Sequence, residues 1–153
     1  MVQIRKATLE DLPNLLEFEQ NIINAERPFD ETLAQGSISY YDLKSMLNDS
    51  KVEMVVATLN EIIVGSGYAK IVVAKPYLDH KLYAYLGFMY THHEHRGKGI
   101  NSKIIDALKD WCLKKEIFEI RLDVYDQNEA AVKAYTKSGF KKDMVNMRIR
   151  LKK

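Results

Sequence analysis

The sequence has a single cysteine, Cys112, so an internal disulfide is excluded. No group of thiols and imidazoles has the spacing of a zinc site, and we expect no metal. No stretch of about 18 uncharged apolar residues occurs, and residues 1–6 lack the long apolar segment of a signal peptide. These absences predict a soluble, cytoplasmic protein that neither crosses nor enters a membrane.

Neither sign of charge dominates, because 23 basic and 21 acidic residues give a formal net charge of +2. This balance argues against nucleic acid or an anionic membrane as the main partner. The apolar fraction of 46% is typical of globular chains, and no repeat, linker or low-complexity segment divides the sequence. The length of 153 residues therefore predicts one domain that spans residues 1–153.

The periodicity of apolar residues predicts an alternation of strands and helices. Val2–Lys6 has the pattern of a strand, and Thr8 with Asp11 forms a capping signal for a helix that ends before Arg27. The remaining predicted elements are a helix at 40–47, antiparallel strands at 52–59, 62–73 and 81–91, a long helix after Gly99, a strand at 118–124, a helix at 128–137 and a final strand at 145–151.

The turn before the long helix has the composition of a phosphate-binding loop. Gly97 and Gly99 allow the backbone to approach a ligand, and the helix start offers free amides and a positive dipole. Arg96 and Lys98 add positive charge, and Asn101 or Ser102 can donate further hydrogen bonds. The loop matches neither a nucleotide triphosphatase nor a dinucleotide motif. The alternative is an ordinary strand-to-helix turn.

A second motif lies on the helix at 128–137. Asn128 can cap the helix, and Tyr135 lies two turns further on the same face, so one ligand can touch both side chains. Gly139 is a suitable left-handed terminator, and we expect Phe140 to fold back into the core as the next strand begins. The alternative is a capped helix in which Tyr135 is a half-buried packing residue.

Together the two motifs resemble the GNAT (Gcn5-related N-acetyltransferase) superfamily. The residues that carry the resemblance are Arg96, Gly97, Lys98, Gly99, Ile100 and Asn101, followed by Asn128, Ala131, Tyr135, Gly139 and Phe140. Asn101 replaces the small residue usual there, which predicts a slightly shifted pyrophosphate. The resemblance covers nearly the whole chain and implies an α/β fold, with a mixed, mostly antiparallel sheet whose fourth and fifth strands splay apart, flanked by about four helices.

The resemblance implies an N-acetyltransferase that uses acetyl-CoA as cosubstrate, with direct attack by an amine. Tyr135 would protonate the departing thiolate, and a backbone amide near Tyr90 would polarise the carbonyl. The residues implied to bind acetyl-CoA are Met89, Tyr90, Thr91, Arg96, Gly97, Lys98, Gly99, Ile100, Asn101, Ser102, Asn128 and Tyr135. Cys112 falls on the packing side of the long helix and is not expected to be a nucleophile.

The sequence leaves the general base open. Glu26 and Asp30 follow the first helix, where the family commonly forms its acceptor pocket, and Tyr83 and Tyr85 lie on the fourth strand. A water chain is a further option, as is the cluster of His92, His93, Glu94 and His95. We favour Glu26, with Tyr85 as a second catalytic candidate.

The identity of the acceptor is also open. Acidic residues at Glu26, Asp30 and Glu31 favour a small cationic amine. One alternative is an acyl-CoA sensor without catalytic activity, and another is a toxin-like enzyme that acetylates aminoacyl-tRNA. The toxin-like enzyme would need a basic face such as the lysines at 133, 137, 141 and 142. The family makes a homodimer an option, which the sequence does not establish.

Overall fold

The computed structural model describes all residues from Met1 to Lys153. The chain divides into two compact units, Met1–Asp123 and Val124–Lys153. The first contains strands β1 (Val2–Lys6), β2 (Val52–Leu59), β3 (Ile62–Val73), β4 (Leu82–Thr91) and β5 (Ile120–Leu122), with helices α1 (Leu12–Glu26), α2 (Leu43–Leu47) and α3 (Ile100–Lys114). The second contains helix α4 (Glu129–Lys137). The predicted architecture is confirmed, and the single domain over 1–153 stays a prediction.

The five strands form one sheet in chain order. Strands β1 to β4 pair antiparallel, and β5 pairs parallel with β4. The parallel ladder joins only residues 84–86 to residues 120–122, so β4 continues to Thr91 without β5 beside it. The predicted mixed, mostly antiparallel sheet with separated fourth and fifth strands is therefore confirmed.

Helices cover both faces of this sheet. On one face, buried residues of the sheet pack with α1 and α2, and the central members of this cluster are Leu15, Phe18, Leu43, Val52, Met54, Val56 and Tyr68. On the other face, α3 lies so close to β3 that a Cβ at Gly67 would be 2.7 Å from Ile104. None of the helices combines the length and the apolar character that a bilayer crossing requires.

The predicted capping signal before α1 is present. The Thr8 amide donates to the Asp11 carboxylate at 2.7 Å, and Arg5 donates two hydrogen bonds to the same carboxylate at 2.8 and 2.9 Å. The hydrogen bonds from Arg5 are the largest cause of the lowered pKa of Asp11. Because Arg5 lies on β1 and Asp11 immediately precedes α1, this ion pair fixes the first helix to the edge of the sheet.

Helix α2 is shorter than predicted. It begins at Leu43 instead of residue 40, and the Asp42 carboxylate caps it by accepting a hydrogen bond from the Ser45 amide at 3.2 Å. The backbone amides of Tyr40 and Tyr41 instead donate to the buried carboxylate of Glu19, at 2.9 and 2.8 Å. The Glu19 carboxylate on α1 therefore holds Tyr40 and Tyr41 outside α2.

Two predicted strands near the C-terminus differ in the structure. The buried strand expected at 118–124 is the short, half-buried β5, because β4 offers ladder partners to only three residues. The final strand expected at 145–151 is wrong, since that segment has no regular secondary structure and its apolar side chains are exposed. Phe140 accordingly does not begin a strand. Alternating apolar residues need a hydrogen-bonding neighbour to form a strand, and the second unit contains no strand.

Candidate active site

The glycine loop, residues 96–102, connects β4 to α3 after a short 3-10 helix at His93–His95. Gly97 and Gly99 have φ angles of 79° and 77°, in the left-handed region that other residues rarely adopt. A Cβ added to either glycine would meet nothing within 4 Å. The backbone conformation therefore favours glycine at both positions, and the space around them is open to a ligand.

The start of α3 supplies backbone donors to the glycine loop. The Lys103 amide donates to the Gly99 carbonyl at 3.1 Å, and the amides of residues 100–102 have no acceptor inside the helix. Arg96 is anchored by a hydrogen bond from its Nε to the Thr91 carbonyl at 3.2 Å, and Lys98 is exposed. Free amides, a helix dipole and two cations form an environment that suits an anionic group such as a phosphate.

Strand β4 has a bulge shortly before the glycine loop. Tyr68 pairs with Gly87 and Ser66 pairs with Tyr90, so three steps on β4 lie opposite two steps on β3. Phe88 occupies the bulge with a φ of 56°, which is strained for an aromatic residue. The buried Ser66 hydroxyl donates a hydrogen bond to the Phe88 carbonyl at 3.0 Å. The bulge therefore redirects the backbone of β4 just beyond the end of the β5 ladder.

The last three residues of β4, Met89, Tyr90 and Thr91, are the strand positions expected to contact acetyl-CoA. The Tyr90 ring is buried against Phe18 of α1 at a centroid distance of 4.6 Å, and its hydroxyl accepts a hydrogen bond from Asn21 at 3.0 Å. The Tyr90 side chain thus belongs to the core. Its backbone, on the part of β4 that extends past β5, is the part available to a ligand.

Glu26, the favoured base, is the last residue of α1 and is half-buried. Burial raises the pKa of its carboxyl, the charge of Asp30 raises it further, and a hydrogen bond with Tyr40 opposes the change. Arg27 then holds the following loop by donating to two of its carbonyls at 2.9 and 2.8 Å. A carboxyl with a raised pKa is a better proton acceptor near neutral pH than an ordinary one.

Three tyrosines, Tyr41, Tyr68 and Tyr85, form what we call the tyrosine cluster. The rings of Tyr41 and Tyr68 meet edge to face at a centroid distance of 5.7 Å. Tyr85 donates its hydroxyl to the Asp123 carboxylate at 3.2 Å. Burial is the main cause of a raised pKa in all three tyrosines, and the charge of Asp123 adds to it in Tyr68 and Tyr85. Tyr85 is therefore a neutral hydrogen-bond donor.

In the second unit, the motif on α4 has the predicted local geometry. The Asn128 side chain caps the helix by accepting a hydrogen bond from the Ala131 amide at 3.3 Å. Gly139 ends the helix with a φ of 103°, and the Phe140 amide donates to the Tyr135 carbonyl at 3.0 Å. The Phe140 ring packs edge to face on Tyr135 at 5.9 Å, so the phenol ring has a fixed neighbour.

The histidine turn lies at the end of β4. His92, Glu94 and His95 each place one ligand-type atom within 4.8 Å of the others. His92 and His93 stack at a centroid distance of 4.4 Å. The His92 Nδ1 atom accepts a hydrogen bond from the Glu94 amide at 3.3 Å, so this nitrogen already has a backbone partner within the turn.

Cys112 is fully buried on α3, as the helical spacing predicts. Burial raises the pKa of its thiol to about 11. The side chain is therefore an uncharged thiol at neutral pH and acts as a small apolar packing residue.

Sequence reasoning did not single out three residues that the structure places around Tyr85, namely Tyr41, Tyr68 and Asp123. The Tyr68 hydroxyl can occupy its position only because Gly87 on the paired strand lacks a side chain. A Cβ at residue 87 would lie 2.5 Å from that hydroxyl. Asp123 follows β5, and its place beside Tyr85 depends on the parallel register of β4 and β5. The alternation of residues along β3 and β4 is the one signal that could have grouped the two strand tyrosines.

Comparison with known proteins gives a family for the chain. Residues 15–140 match the model described as the acetyltransferase (GNAT) family. A curated relative, a streptothricin acetyltransferase of Escherichia coli, is 40% identical over 48 residues, which represent 31% of this chain and 28% of that protein. The match thus covers well under half of either protein.

Solved structures share the fold. A tetramutant of the BH1408 protein of Bacillus halodurans superposes with a TM-score of 0.88 at 21% identity, covering 97% of this chain and 99% of the other. A structure described as a predicted acetyltransferase with acetyl-CoA, from Clostridium acetobutylicum, has a TM-score of 0.73 at 20% identity, covering 99% and 97%. At these identities the similarity establishes the architecture of the chain.

Proposed function

The chain belongs to the acetyltransferase (GNAT) family, and from that premise we propose that it transfers the acetyl group of acetyl-CoA to a primary amine by direct attack. The observation that carries this proposal is the glycine loop. Two left-handed glycines, free amides at the start of α3 and the side chains of Arg96 and Lys98 suit a pyrophosphate. A similar fold has been solved with acetyl-CoA, which supports the choice of ligand.

The residues proposed to hold acetyl-CoA fit that ligand chemically. The amides of residues 97–102 would bind the pyrophosphate, and the backbone of residues 89–91 would pair with the pantetheine arm beyond the end of β5. Asn128 is included because it belongs to the second family motif. Ile100 is buried and offers its amide only, while Asn101 and Ser102 add side-chain donors. When bound, acetyl-CoA supplies the activated thioester.

Tyr135 is proposed as the general acid that protonates the departing thiolate. The hydroxyl of a phenol can donate its proton to a thiolate as negative charge develops on the sulfur. The support comes from its position on a capped helix within the family motif and from the ring of Phe140, which restricts its orientation.

Glu26 is proposed as the group that accepts a proton from the incoming amine, because burial raises the pKa of its carboxyl toward neutrality. Tyr85, the second catalytic candidate, is not proposed as a base. Its raised pKa keeps the phenol protonated, so Tyr85 acts as a hydrogen-bond donor in the acceptor region.

The proposal is tested by mixing the protein with acetyl-CoA and a panel of amines and measuring the release of free CoA thiol. We expect turnover with one class of amine and a loss of about a hundredfold in kcat for Tyr135→Phe. Tyr77→Phe is the matched control, because Tyr77 is an exposed tyrosine and its loss should leave kcat unchanged.

Other outcomes separate the alternatives. Tight binding of acetyl-CoA without turnover of any amine would favour the sensor or an aminoacyl-tRNA acceptor. A protein that does not bind acetyl-CoA at all, measured by calorimetry, would contradict the proposal.

A further inference from the structure

The point where β4 and β5 separate has a distinct chemical character. The last paired residues are Leu86 and Leu122, and Asp123 is the next residue after β5. Because Tyr85 pairs with Arg121, the side chains of Tyr85 and Asp123 lie on the same face of the sheet, where they share a hydrogen bond of 3.2 Å. An exposed carboxylate is therefore held at the opening between the two strands.

Tyr68 brings a second phenol to this opening. It pairs with Gly87, and its hydroxyl occupies the space that a side chain at residue 87 would fill, 2.5 Å from the position of a Cβ. Tyr41 packs against the Tyr68 ring at 5.7 Å and against Phe88 at 5.4 Å. The Tyr68 ring therefore belongs to the core, and its hydroxyl is the part that lies near the opening.

The charge of the Asp123 carboxylate is not offset by an ion pair. Asp123 accepts a hydrogen bond from the uncharged Tyr85, whereas Arg121, two residues earlier on the same face, pairs with Glu119 at 3.0 Å. A carboxylate attracts an ammonium group, and the half-buried ring of Tyr85 beside it adds attraction for organic cations. The carboxylate repels an anionic acceptor, and a neutral acceptor gains only a hydrogen bond from it.

We propose that Asp123 binds the ammonium group of a cationic acceptor and that Tyr85 is the positioning residue for this carboxylate. This inference rests on the proposed function, whose acceptor it describes more closely. It assigns the recognition of the acceptor's charge to the end of β5 instead of to the acidic residues after α1.

The test uses the full chain and pentyltrimethylammonium, a probe that keeps its positive charge and cannot be acetylated. We expect calorimetry to show binding to the wild type and at least a fivefold weaker affinity for Asp123→Asn. Asp79→Asn is the matched control, since it removes the same charge from a fully exposed side chain and should leave the affinity unchanged. Tyr85→Phe keeps the ring and should weaken binding two- to threefold.

Kinetics with the best amine of the panel give a second readout. We expect Asp123→Asn to raise KM by at least tenfold while kcat stays within a few-fold, and the Kd of acetyl-CoA should not change. Failure of the wild type to bind the probe, or equal affinities for Asp123→Asn and Asp79→Asn, would overturn the inference. Loss of probe binding in Asp123→Asn without turnover of any amine would support it and would count against the proposed reaction instead.

Discussion

The glycine loop and the tyrosine cluster belong to the same unit of the chain and take their shapes from different parts of it. The loop consists of seven consecutive residues, and two φ angles and a few free amides define it. The cluster combines side chains from the loop before α2, from β3 and from β4, with Asp123 after β5. The proposed cosubstrate site therefore rests on local backbone geometry, whereas the proposed acceptor site depends on how distant segments pack.

If this difference is real, a change under the tyrosine cluster should affect the acceptor and spare acetyl-CoA. Gly87→Ala places a Cβ 2.5 Å from the Tyr68 hydroxyl, and we expect a loss of about 2 kcal/mol in unfolding free energy from overpacking. The KM for the amine should rise while the Kd of acetyl-CoA stays constant. Denaturant unfolding and calorimetry measure these quantities.

The control for this prediction is a double mutant cycle. Tyr68→Leu removes the ring that the new Cβ would strike, so the cost of Gly87→Ala should shrink in that background. Additive costs of the two changes would show that the Tyr68 ring is not the cause.

The glycine loop should show the opposite selectivity. Gly99→Ala forces an alanine into the left-handed region, at a cost of about 1 kcal/mol, and shifts the start of α3. We expect the affinity for acetyl-CoA to fall by about tenfold when measured by calorimetry. The probe cation should bind as it does to the wild type.

Gly36→Ala is the matched control for the loop. Gly36 also has a positive φ, 85°, and a Cβ there would meet nothing within 4 Å. The two variants should be destabilised equally. An equal loss of acetyl-CoA affinity in both variants would mean that general backbone strain causes the loss and that the glycine loop does not bind acetyl-CoA.

Glu26 allows a smaller test on the acceptor side, through pH. Because its pKa is higher in the folded than in the unfolded state, its charged form destabilises the fold as pH rises through that folded pKa. Glu26→Gln should therefore raise the melting temperature slightly at pH 7, and the gain should vanish below about pH 4, where the carboxyl is protonated in both states.

Glu17→Gln, an exposed position on the same helix, should produce no such gain. A destabilising effect of Glu26→Gln at pH 7 would show that the ionised carboxyl is stabilised by its surroundings and is not a poised base.

Local patterns predicted the parts of the molecule that local forces determine. Strands β1, β2 and β3 have the predicted bounds, and the cap at Asn128 and the glycine at 139 were readable from adjacent residues. The bulge at Phe88 carries no such signal, because its strained φ is stabilised by Ser66 from another strand. Asp123 was missed for the same reason, since its partner Tyr85 is distant in sequence. The strand predicted at 145–151 is absent because alternating apolar residues do not form a strand without a neighbouring strand to pair with.

The buried carboxylate of Glu19 uncouples the position of Tyr41 from the length of the segment before it. It fixes the backbone of Tyr40 and Tyr41 from α1, whatever the intervening residues are. The segment between Arg27 and Tyr40 can consequently gain, lose or exchange residues at a small entropic cost, about 0.6 kcal/mol for each doubling of length. A change in the length of this segment would therefore leave Tyr41 in its place.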